Sequence, residues 1–335
     1  MSWPDKGQNK GPDKESGAVL ITTLLVMALM AALAVAFMDD IRFAVKRTIN
    51  IQAYAQADWY VRGAEDFADA YLDRQLSQTS LQDMNTALST MTPVIFPFEG
   101  GAMQLTVRDG SQCLSLGALS SAPGRRLFRQ LLTNLGWSQT EAASLTSIAI
   151  DWQDADQQVL PGGAEDYTYL GLEPAYRTAD TEFSSITELR ALKTMTEDKY
   201  EMIRPFVCAR PSAQPSGINI NTLPLTHAVL LQSLLGETIS ISTAVQIIQE
   251  RPAAGYENLE ALLSLPALEG LSQNDANLDL LVFTPEHIWI EADIDYLTAR
   301  RTAAFEFSID GNAAKVLSRQ YSDEAKRPVL TGTSP

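Results

Sequence analysis

Carboxylates crowd one short stretch of this chain. Asp151, Asp154 and Asp156 are followed by Glu165 and Asp166, with Pro161, Gly162 and Gly163 between them to turn the backbone. Calcium takes six to eight oxygens from carboxylates and carbonyls on a bent loop, so these residue types suit a divalent-cation site. The spacing is not that of an EF-hand, which needs Gly at the sixth loop position and Glu at the twelfth. Composition alone favours a solvated acidic loop. Paired carboxylates could also act as acid and base in a hydrolase. No nucleophile stands out beside them, and no G-x-S-x-G elbow occurs. His227 and His287 are far apart, which argues against a His-rich zinc site.

The loop must be held by a sizeable globular body. The chain has 335 residues, 45% hydrophobic and 20% charged, with a formal net charge of -16. A field of that sign repels nucleic acid, whose binding rests on Lys and Arg displacing counterions from phosphates.

Residues Ala18 to Met38 carry no charge, and only Thr22 and Thr23 are polar. At about 1.5 Å per residue, a helix of this length just spans a hydrocarbon core of about 30 Å. Small-residue patterns within it (Ala32-Leu33-Ala34 and Ala34-Val35-Ala36) resemble signal-peptide cleavage sites. The apolar run is longer than a usual signal core, however, and it continues without Gly or Pro into a second helical pattern. Beyond it, Ile41, Val45, Ile49, Ala53, Trp59, Ala64, Phe67 and Tyr71 recur mostly every three or four residues. One helix of roughly 55–60 residues is expected, half in the membrane and half packed on a domain.

Strand patterns occur at both ends of the remaining chain. Val94 to Phe98 comes first. Two further runs flank Asp109-Gly110, a two-residue hairpin signal that would place Cys113 in a strand. Patterns return at His287 to Asp295, Thr298 to Ile309 and Ala314 to Tyr321, the last two around Asp310-Gly311-Asn312. Between them lies a helical stretch with a weak internal repeat. Phe183, Ile186 and Leu189 match Tyr256, Leu259 and Leu262. Each set follows a helical segment, Thr140 to Trp152 and Thr243 to Arg251, which suggests two related helix-turn-helix halves.

Several of these features together resemble one family. A polar leader ends in Gly17 and the apolar run starts at once, as in type IV prepilins and type II secretion pseudopilins. The Trp59 segment, the Asp-Trp-x-Asp-x-Asp and Gly-Ala-Glu-Asp-x-Tyr motifs of the acidic loop, and Ile218-Asn219-Ile220-Asn221 occur in the order of the K-type minor pseudopilins. Most pseudopilins carry Glu as the fifth mature residue; here that position is Thr22. K-type members typically lack this Glu, so the departure agrees with the subtype.

The resemblance implies an α+β, pilin-like fold: a long N-terminal transmembrane helix packed on an antiparallel sheet, with a large all-α insertion. The implied divisions are a leader (1–17), a transmembrane helix (18–38), a first pilin-like part (39–118), the insertion (119–283), C-terminal strands (284–322) and a disordered tail (323–335). Prepilin peptidase would cut between Gly17 and Ala18. Calcium would bind through Asp151, Asp154, Asp156, Glu165 and Asp166, with Asp180 a weaker candidate.

The implied role is structural, not enzymatic: capping the tip of a secretion pseudopilus with other minor pseudopilins. The anchor would sit in the inner membrane, with the C-terminal domain in the periplasm, near secreted substrates and the outer-membrane secretin. In that oxidising compartment a Cys113–Cys208 bridge is expected. It would close roughly 95 residues, worth about 4 kcal/mol in the chain-entropy model. The competing reading is a membrane-anchored helix-hairpin-helix protein of DNA uptake, resting on Gly217 to Thr222 and a hairpin at Leu234 to Thr238. That hairpin holds one Gly and an acidic residue, with no Lys/Arg cluster nearby.

Overall fold

The computed structural model describes residues 14–214, 217–237, 239–271, 277–311, 313–322, 324, 326 and 327. Most of the expected leader (1–17) and of the expected tail (323–335) therefore lies outside the described residues. The chain opens with α1 (Lys14–Gln78), a single 65-residue helix. Its apolar N-terminal part is fully exposed and is long and apolar enough to cross a membrane. Its C-terminal part buries one stripe, Ala53, Ala57, Val61, Ala64, Ala68, Leu72 and Leu76. Those residues sit three or four apart, so they share one helix face. Four alanines among them let the backbone approach the sheet closely.

A second helix, α2 (Leu81–Thr90), follows at once, capped by Ser80. Then come β1 (Val94–Phe98) and β2 (Gly101–Asp109). These two strands form the first hairpin, with Phe98 opposite Gly101 and Gly100 at φ +87° in the turn. The hairpin expected at Asp109-Gly110 does not form. The carboxylate of Asp109 is buried and accepts bonds from Ser111 N (2.6 Å), Asn219 Nδ2 (2.7 Å) and Thr222 Oγ1 (2.5 Å), which draws the chain off the sheet. Cys113 consequently lies outside any strand, just before the short β3 (Leu114–Ser115).

The helical insertion comprises α3 (Ala122–Asn134), α4 (Gln139–Gln153), α5 (Asp166–Leu170), α6 (Glu197–Ile203), α7 (Ala228–Leu235), α8 (Ile241–Gln249) and α9 (Leu259–Leu263). Two-residue strands punctuate it: β4 (Val207–Cys208) pairs in parallel with β3, and β5 (Ile218–Asn219) with β6 (Leu281–Val282). Helices α3 and α4 pack together, as do α7 and α8, and α3 meets α7. Leu127, Phe128, Leu131, Leu145, Ile148, Leu231, Leu234 and Ile247 fill one shared core. The repeat positions match in burial: Phe183 and Tyr256 are buried, and so are Leu189 and Leu262.

The chain rejoins the sheet as β7 (His287–Tyr296), β8 (Ala299–Asp310) and β9 (Ala313–Gln320). The sheet order is β1-β2-β7-β8-β9, antiparallel throughout. Alternation puts Ile288, Ile290, Ala292, Ile294, Ala303, Phe305 and Phe307 against α1. Asp58–Arg301 and Glu65–Arg319 ion pairs add polar ties from the helix to β8 and β9.

The Ile218-to-Asn221 motif turns out to be the polar joint between insertion and sheet. Asn219 Nδ2 bonds Asn85 Oδ1 of α2 as well as Asp109 at the end of β2. Asn221 holds the backbone of Tyr256 and of Phe283. Both side chains are buried, so each hydrogen bond lost there would leave a desolvated polar group behind.

Candidate metal centre

The acidic loop hangs between α4 and α5. A capping box, Ser138 with Glu141, starts α4. Its end delivers Asp154 as the C-cap, where the negative end of the helix dipole faces outward. Trp152 anchors that end, with Nε1 on Glu188 Oε2 (3.3 Å) and an edge-on contact to Tyr169.

Asp154, Asp156 and Glu165 come together: each offers an oxygen, all within 4.8 Å of one another. Glu165 is only 2% exposed, and neither of its carboxylate oxygens has a hydrogen-bond partner. Asp154 Oδ1 and the adjoining Gln153 Oε1 are also buried without partners. Burial, reinforced by the charges of Asp151, Asp154, Asp180 and Asp156, pushes the Glu165 carboxyl up to about 7. Burial, then Asp156, Asp151 and Asp180, raise Asp154 as well. Buried acceptors without donors, close enough to repel one another, are costly unless a cation or protons neutralise them.

The five sequence candidates therefore part company. Asp151 is buried behind the cluster, and its carboxylate accepts the Leu160 N–H at 3.3 and 3.2 Å. A Cβ at Gly163 would overlap that carboxylate, so the loop needs glycine there. Asp166 turns to the other side. It pairs with Arg177 (2.8 Å) and accepts from Thr178 N (3.0 Å) and Oγ1 (2.8 Å). Those bonds, Thr178 first, hold its carboxyl below the usual range. Asp180 Oδ1 lies 2.8 Å from the same Thr178 hydroxyl, whose one proton it shares with Asp166, and its charge acts on Glu165 and Asp154, so it borders the cluster. Gln153 was not a sequence candidate; its place beside Asp154 at the helix end was the available signal.

The other marked residues are also placed. Gly17 and Ala18 lie exposed in α1, with open space around Gly17. Cys113 and Cys208 form a disulfide, with their Cα atoms 5.8 Å apart. The bridge runs from the segment after β2 to the end of β4.

Comparison with known proteins agrees along the chain. Two models of the type II secretion system protein K family match, over residues 112–212 and 218–284. The type II secretion system protein K of Pectobacterium carotovorum subsp. carotovorum is 30% identical over 92% of this chain and 97% of its own. That of Klebsiella pneumoniae is 31% identical over 76% of this chain and 81% of its own. This chain belongs to the type II secretion system protein K family. A solved complex, GspK-GspI-GspJ from enterotoxigenic Escherichia coli, contains a chain similar to it in fold. The TM-score is 0.68 at 25% identity, covering 83% of this chain and 99% of that one. The protein is thus a minor pseudopilin of type II secretion, pilin-like with a helical insertion. The DNA-uptake reading is not favoured, since Asn219 and Asn221 are buried in the inter-domain joint.

Proposed function

We propose that this protein K family member caps the tip of the pseudopilus as a non-enzymatic subunit, in complex with other minor pseudopilins. The observation that carries this is Thr22. Its hydroxyl bonds the Val19 carbonyl of its own helix (2.9 Å), so it offers no carboxylate to a neighbour's terminal ammonium within the membrane. An unpaired charge at that depth costs about 2.5–3.5 kcal/mol by insertion scales, which disfavours a shaft position with a subunit above. The similarity to a chain of the GspK-GspI-GspJ complex supports minor pseudopilins as partners. Immunogold labelling of isolated pseudopili should mark one end only. Label spread along the shaft would refute the cap.

The same reading places the anchor in the inner membrane and the domains in the periplasm, where secreted substrates and the secretin are within reach. Processing by prepilin peptidase between Gly17 and Ala18 follows from the leader. Gly17→Val should leave only full-length precursor in the membrane fraction; normal-length mature chain from that variant counts against the cleavage site.

The all-oxygen donor set suits a hard divalent cation, and calcium is the one this reading assigns. Asp154, Asp156 and Glu165 would hold it, with Gln153 Oε1 and Asp180 adjoining. A bound divalent ion would offset the carboxylate repulsion. Asp151 and Asp166 shape the loop from either side.

A further inference from the structure

The outer face of the sheet, away from α1, carries Trp289, Glu291 and Asp293 on β7 and Ala304 and Glu306 on β8. Arg210, fully buried, reaches this face from the insertion and pairs with Glu306 at 2.5 Å. Its Nη2 also bonds the Gly110 carbonyl and lies 3.4 Å from Cys113 Sγ. A crevice remains between Val207, Cys208 and Ala209 on the insertion and Trp289, Glu306 and Gln320 on the sheet.

Arg327 forms part of the wall of that crevice. Its guanidinium lies over the Trp289 ring, 4.5 Å from the centroid. Its Nη1 donates to Gly110 O (3.1 Å), and its Nη2 is 3.8 Å from Glu306. Its backbone N–H donates to Glu291 Oε1 (2.9 Å), an oxygen that also accepts from Trp289 Nε1. Lys326 pairs with Asp293 of β7 at 2.5 Å, while its carbonyl accepts from Arg204 of the insertion (3.4 Å). Glu324 pairs with Arg190 of the insertion at 2.7 Å.

The geometry points to Glu324, Lys326 and Arg327 forming a strap that locks the helical insertion onto the sheet, with Arg327 as its buckle. The contacts alternate between the two bodies, which a tail lying on one surface would not do. Both guanidiniums, Arg210 and Arg327, meet the buried Glu306, while Glu291 holds the backbone N–H of Arg327. A planar guanidinium stacked on Trp289 that also reaches the Gly110 carbonyl suits arginine, and a lysine cannot reproduce the pair of contacts. The disulfide ties the same junction covalently, so the strap bears most load when that bond is reduced.

Hydrogen exchange on the detergent-solubilised full chain tests this. Arg327→Ala, with the disulfide reduced, should speed exchange of the Val207 to Arg210 amides roughly tenfold or more, since losing a hydrogen bond to a charged group leaves its buried partner unsatisfied. The amides of α3 should keep their protection. Arg300→Ala, which removes an exposed pair with Asp295, should change neither. If Arg327→Ala fails to fold, Arg327→Lys supplies the reading, and faster junction exchange is again expected. Junction exchange unchanged in the folded variant, reduced or oxidised, would overturn the strap. So would equal loosening of α3, which would mean general destabilisation.

Discussion

At the scale of single residues, the cluster's free oxygens set the chemistry. Glu165 is buried beside other carboxylates with nothing donating to it. Glu165→Gln should therefore raise the melting temperature in chelator, by removing repulsion, and should lose the further rise on adding calcium. Asp154→Ala with Asp156→Ala should also lose the calcium response, which for the wild type reaches about 2.7 kcal/mol at 100 times Kd. A wild-type melting curve that is indifferent to chelator would remove calcium from the loop. His227 gives a second residue-scale expectation. It is buried, with its ring on Pro205 O (3.1 Å) and against Phe206, and desolvation pushes it down to about 4. The unfolded chain takes up a proton near pH 6.5, while the folded one resists until about 4. Stability present above 6.5 is thus lost as pH falls through that window, by up to about 3 kcal/mol. His227→Gln should flatten that part of the pH–stability curve; an unaltered slope would show that other groups carry it.

At the scale of elements, the meeting of α1 with the sheet depends on small side chains. Ala57 and Ala64 are both 0% exposed beneath the strands. Ala64→Leu should overfill the contact and cost about 1–3 kcal/mol, read as a lower denaturant midpoint. The exposed Phe43, further toward the N-terminus, should accept Leu without a measurable change. Equal effects at both sites would mean that the alanine stripe is not a packing constraint.

At the scale of the whole molecule, two bodies share one junction. The disulfide, the Asn219 network and Arg210 all converge where the chain leaves and rejoins the sheet. Cys113→Ser with Cys208→Ser should lower stability by about 4–5 kcal/mol in the chain-entropy model. Thiol labelling of the unfolded, unreduced protein should find no free cysteine; two labelled cysteines per chain would dispose of the bridge.

Much of this architecture is local and could be read from sequence. The uncharged run from Ala18 to Met38 and the three-to-four spacing on to Tyr71 predict α1, because helix periodicity is a property of neighbouring residues; which face packs was missed in part, since Trp59 and Phe67 are exposed and the smaller Ala57, Val61 and Ala68 meet the sheet. Alternation determined β7 to β9 nearly to the residue, and Gly17 followed by the apolar run carried the family resemblance. What tertiary structure decided was where polar groups find partners. Asp109-Gly110 has turn chemistry, but the Asp109 side chain is claimed by Asn219 and Thr222, more than a hundred residues away. Glu165 and Asp166 are neighbours, yet Arg177 and Thr178 take Asp166 while Glu165 is left bare among acids. Arg327 sits in a stretch without apolar periodicity, and only the charged crevice between two bodies gives it a place. Periodicity records the type of element; the face it buries and the partner of a buried charge are set by long-range folding, and local sequence does not encode them.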